Sequence, residues 1–168
     1  MKSGNIVAFK GTSNTFKVLS FLLSIFDSDW RKLKWKPWHL GIAWHKTSGG
    51  WWVLAAGEDG VGLKFYFSRE LEEVRWYDWL EKPLTQKKLD KFLKGHIGKK
   101  YDIATYFWTS LAVIFRHFWN RPIPKLLDDR FSCWELVQEF AEEMGKPIVS
   151  KYDVIIIVDI IKALKGGA

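Results

Sequence analysis

Two β-prone runs, "WHLGIAW" (38–44) and "WWVLAA" (51–56), stand either side of "HKTSGG", whose glycines favour a reversal. That pair predicts a hairpin, and a hairpin near the front of the chain constrains everything placed after it. Before it comes "NIVAFK" (5–10), a short apolar run suited to a strand, then "GTSN" as turn and cap. A helix over about 14–26 follows, with Phe16, Leu19, Leu22, Leu23 and Phe26 at helical spacing. After it, "GLKFYF" (62–67) and "VRWYDW" (74–79) extend the sheet. From "PLTQKKLDKFLKGHIG" onward the period becomes helical: Thr85 caps a helix to about 94, a second runs over 102–118, and a third starts near 132. The closing "KYDVIIIVDIIKALKGG" mixes β-branched residues with helical length and is read as a helix. Strands first and helices later predict an α+β domain, an antiparallel sheet packed against a helical layer, over residues 1–168.

Composition enters where it limits partners. Twenty-six Lys and Arg against 19 Asp and Glu give a net charge of +7, which favours an anionic surface: nucleic acid, phospholipid or cell-wall polymer. Eleven Trp, 12 Phe and 5 Tyr exceed ordinary packing needs, so some rings are expected to line a groove or meet a partner. The basic, aromatic segment "DWRKLKWKPW" (29–38) is one such place. Apolar stretches at 16–26 and 103–115 fall short of the roughly 20 residues of a spanning helix, so no integral membrane span is expected. No signal peptide is read in "MKSGNIVAFKG", which suggests a cytoplasmic or phage-delivered protein.

Cys133 is the one cysteine of the chain, which excludes an internal disulfide. No cofactor or metal is expected, a cysteine-built zinc site least of all. Ser132 and Glu135 have the S-x-x-E spacing of a capping box, and Gly145 with Pro147 closes the same helix. Cys133 then takes the first helical position, where free N–H groups and the helix dipole lower a thiol pKa. A lone cysteine is also simply a small buried hydrophobe, and that alternative stands beside the nucleophile.

A nucleophilic thiol needs a base. His45 falls in the turn, and His96 and His117 lie in basic helical segments. His39, at a strand start, is the candidate base. With 45–50 as the turn, Trp44 faces Trp51 and His39 falls opposite Ala56; the acids nearest that strand end are Glu58 and Asp59. Glu58 is taken as the third group on proximity alone.

"GNIVAFKGTSN", "WHLGIAW", "GKKYDIATYF" (98–107) and "RFSCWELVQEF" (130–140), in that order, resemble circularly permuted papain-like hydrolases. These form the YaeF/YiiX-type branch of the NlpC-like superfamily, related to lecithin retinol acyltransferase. The resemblance covers about residues 4–145. It implies a permuted papain-like fold with Cys133 as nucleophile and His39 as base, forming a thioester with a cell-wall peptide, lipopeptide or acyl-lipid substrate. The chain departs from the family at Ala55, where a Glu is common, and at Trp134, where a smaller residue is usual. A papain-like binding module without activity, or a basic aromatic surface binder of membrane or nucleic acid, are the alternatives.

Overall fold

The structure is a computed structural model, and it describes residues 2–11, 17, 20, 21, 23–25, 28–72, 74–80, 84–101, 130–149 and 157–166. The helix expected over 102–118, with His117 and the apolar stretch 103–115, lies outside the described residues.

Five strands form one antiparallel sheet: β1 (Ile6–Lys10), β2 (Pro37–Lys46), β3 (Gly50–Gly57), β4 (Gly60–Phe67) and β5 (Arg75–Tyr77). Their order is β4-β3-β2-β1-β5, so the segment around 74–79 does extend the sheet, but at the far edge, on β1. Strand alternation divides the apolar residues between two faces. Ile6, Ala8, Leu40, Ile42, Leu54 and Ala56 meet the helices, while Val7, Ala43, Trp51 and Val53 form a smaller cluster on the other face with Leu71.

The described helices are α1 (Ser28–Lys32), α2 (Gln86–His96), α3 (Cys133–Glu143) and α4 (Ile157–Gly166). Residues 17, 20, 21 and 23–25 are also helical, in keeping with the helix expected there. α2 buries Leu89, Phe92 and His96 along one stripe, and α4 buries Ile157, Ile160 and Ile161. For the Ile-rich tail, tertiary burial on that stripe outweighs β propensity. Thr85 precedes α2 in extended conformation, yet its side chain makes no cap; its carbonyl accepts from Lys88 and Leu89 instead.

Among the described helices, α3 packs most extensively against β2. A short parallel pair, β6 (Lys100–Tyr101) with β7 (Arg130–Phe131), delivers the chain to its first turn. The helix ends as the glycine predicts: Gly145 has φ +78°, its N–H donates to Glu142 O (2.9 Å), and Lys146 N–H donates to Ala141 O (3.0 Å).

The hairpin register differs from the one counted along the sequence. The turn is tighter, with Thr47 N–H donating to Gly50 O at 2.9 Å, so Lys46 pairs with Trp51 and His45 with Trp52. A bulge then leaves Trp44 unpaired, and Ala43 meets Val53 and Ile42 meets Leu54. Trp44 turns its ring into the helix-side core. The same register carried onward sets His39 level with Gly57, not Ala56, past the last paired residues.

Candidate functional site

Cys133 begins α3, and Ser132 before it is extended (φ −79°, ψ 164°), as a cap requires. The capping box closes in both directions: Ser132 Oγ accepts from Glu135 N–H (3.4 Å), and the Glu135 carboxylate accepts from Ser132 N–H (2.8 Å) and Oγ–H (2.7 Å). The site's starting geometry is thus the one the spacing predicts.

The sulfur meets three backbone N–H groups, those of Leu40, Trp134 and Cys133 itself. Leu40 can supply one because of the sheet. Ala43 N–H donates to Asn5 O on the β1 side, so alternation directs the Leu40 N–H towards β3. The β2–β3 ladder stops at Ile42–Leu54, and the thiol takes the donor that β3 leaves.

The thiol pKa moves opposite to the lowering expected from the helix start. Cys133 has no solvent exposure, and burial pushes its pKa up to about 12, with Glu135 adding to the rise against the three N–H donors. A helix start favours the thiolate only where water or a counter-charge shares the stabilisation; inside an apolar core, desolvation prevails.

His39 is half-buried and leaves β2 from the face opposite Leu40. Its ring lies 5.7 Å from Phe9, whose own ring is 4.8 Å from Tyr66. Burial first, and then the Lys64 ammonium, lower its pKa to about 4, so the imidazole is neutral at pH 7. The structure does not bring the two predicted side chains together: Cys133 lies in the helix-side core with Leu40, and His39 lies against Phe9 on the other face of the sheet. No hydrogen bond links Cys133 to His39 among the described residues.

Glu58 sits exposed in the two-residue turn between Gly57 and Gly60. The charged group that acts on His39 is Lys64, a cation that opposes its protonation, where a triad carboxylate would favour it. Lys64 runs back along the sheet: a Cβ on Gly57 would lie 3.0 Å from its Nζ, and its ammonium pairs with Asp59 at 3.7 Å. Sequence reasoning missed Lys64 because it comes from β4, two strands away, and only the full register brings it there. Ala55 lies on the same face, near Gly41, fully buried and without a polar atom to offer.

The basic, aromatic segment is partly occupied within the fold. Trp30 is buried with its indole N–H on Ser20 O (3.2 Å), Lys36 donates to Ser24 Oγ (2.7 Å), and the Arg75 guanidinium stacks over Trp35 at 4.9 Å. A more open aromatic group is Trp52, Phe65 and Phe67 on the β3–β4 hairpin, with Trp52 and Phe67 exposed. Among the described residues no helix is long and apolar enough to cross a membrane.

Neither protein-family models nor curated protein sequences give a match to this chain.

Proposed function

We propose that this chain is a cysteine-dependent hydrolase of amide or ester bonds, with a permuted papain-like fold, acting through a thioester on a cell-wall peptide, lipopeptide or acyl lipid. The observation that carries it is Cys133 at the first position of a capped helix that packs on β2, the strand bearing His39. In the reaction, His39 accepts the thiol proton as sulfur bonds to the substrate carbonyl carbon, and the N–H groups of Leu40 and Cys133 hold the oxyanion. Collapse expels the amine or alcohol, which takes the proton from His39. Water then attacks the thioester, releasing the acid and restoring the thiol. His39 leaves the opposite face of β2, so the end of that strand must rearrange to bring the imidazole to the sulfur, and the cover over the sulfur must open.

A second reading is a binding module on the same scaffold, favoured by the enclosed thiol, the cation beside His39 and Ala55 in place of a carboxylate. Intact-mass spectrometry after incubation with activated acyl esters and cell-wall peptides separates the two. Hydrolase action requires an acyl adduct on Cys133 that is absent in Cys133→Ala and whose formation slows in His39→Ala. No adduct with any ester or peptide, in a folded protein, favours the module.

A further inference from the structure

α2 ends on His96, a buried residue that the cysteine site does not use. Its Nδ1 lies 2.8 Å from Phe92 O, and a carbonyl can only accept, so Nδ1 carries the hydrogen. The ring is fixed in that pose, stacked on Phe92 at 4.0 Å and met edge-on by Phe131 at 5.5 Å. Nε2 of the neutral ring then presents a lone pair, and it makes no hydrogen bond although it is buried. What it faces is a carboxylate: Glu139 Oε1 is 3.2 Å away. One turn further along α3, Glu143 brings a second, since positions four apart share a helix face. Against desolvation, the hydrogen bond that a protonated ring donates to Glu139 raises the His96 pKa, so a proton on Nε2 relieves the repulsion of the two electron-rich atoms, and a metal ion can take that proton's place.

We propose that His96, Glu139 and Glu143 bind a divalent transition-metal ion of the zinc class, clamping the end of α2 to α3. The three ligand atoms lie within 4.8 Å of one another. Around a zinc-sized ion they would stand about 3–4 Å apart, and Glu143, exposed at the rim, has the freedom to close that gap. An imidazole nitrogen whose other ring N–H is held by a carbonyl is the usual metal-ligating arrangement. One nitrogen and two carboxylates suit a borderline cation better than Mg²⁺ or Ca²⁺, and the open side at Glu143 leaves room for water as a further ligand. The Lys99 ammonium over the Phe131 ring, at 4.7 Å, is a cation that opposes binding. No spacing rule pointed here, because His96 and the two glutamates come from helices far apart in the chain.

The test is titration of the tag-free protein with Zn²⁺ by calorimetry and with Co²⁺ by visible absorption. A single ion per chain with ligand-field bands is expected. Losing an outer-shell partner alone weakens metal sites about 10–100-fold, so Glu143→Gln and Glu139→Gln should each weaken binding by at least about tenfold. Glu143→Gln is the deciding variant, because its exposed side chain is not needed for folding. His96→Gln should abolish the bands, and where loss of the buried ring unfolds the chain the two glutamate variants decide alone. No Zn²⁺ binding by the wild type overturns the proposal, as does binding that neither glutamate substitution weakens.

Discussion

Alkylation of Cys133 should be slow in the native protein and fast once the chain is unfolded. Burial moves the thiol from an ordinary value of 9.0 to about 12, a cost of about 4 kcal/mol for the thiolate. At any pH below 9 the thiolate fraction then falls by about 1000-fold. A more basic thiolate is intrinsically more nucleophilic, and a Brønsted coefficient of about 0.4–0.5 returns roughly 15–30-fold. Chemistry alone thus predicts labelling about 30–60-fold slower than in the unfolded chain, and the absence of exposure slows it further. The assay is iodoacetamide labelling followed by intact mass, at several pH values, with and without urea. The native rate should keep rising with pH through the alkaline range. A native rate that levels off near neutral pH would refute the reasoning, since it would require a thiolate already formed beside a charged imidazole.

Three further outcomes follow from the same geometry. His39 has a folded pKa of about 4 against an ordinary 6.5, so its neutral form contributes stability that is complete above about pH 6.5 and lost as pH falls through 4. The loss is at most about 3 kcal/mol and is reduced by the ring's partial exposure; urea midpoints at pH 7 and pH 4 should differ less in His39→Gln than in wild type, and equal differences would count against the enclosed imidazole. Ser132→Ala removes the cap and one donor to Glu135, which should cost about 0.5–2 kcal/mol in urea unfolding; an unchanged midpoint would mean the box adds nothing. Gly41→Ala would put a Cβ 2.5 Å from Val53 Cγ1, for a loss of about 1–3 kcal/mol. Val53→Ala in the same chain should recover part of that loss, whereas simple additivity of the two would argue against the clash.

Much of this fold is legible in the sequence because local signals and tertiary demands agree. The strand at 5–10, both hairpin arms and the limits of α3 are set by turn glycines, alternation and a capping box, each of which acts within a few residues. The register of β2 on β3 was not legible. It depends on Trp44 standing out as a bulge, and only burial of that indole in the helix-side core selects it. The site divides in the same way. The position of Cys133 on its helix is a local property and was readable, whereas its pKa is set by everything packed around it and came out with the opposite sign. Lys64 beside His39 is likewise a product of three strands in register.

The two pKa values also limit how any chemistry at Cys133 proceeds. Burial raises the thiol pKa and lowers the imidazole pKa, so moving the proton from Cys133 to His39 is strongly uphill while both stay enclosed. A pre-formed thiolate–imidazolium pair is therefore not the resting state of this protein. Catalysis needs an opening that admits a substrate dipole or water to the sulfur and draws Lys64 away from His39, whereas a binding module needs neither. Lys64→Gln tests that step, because loss of the ammonium should raise the His39 pKa and, in a hydrolase, speed acylation of Cys133. Unchanged His39 titration in that variant would remove Lys64 from the account.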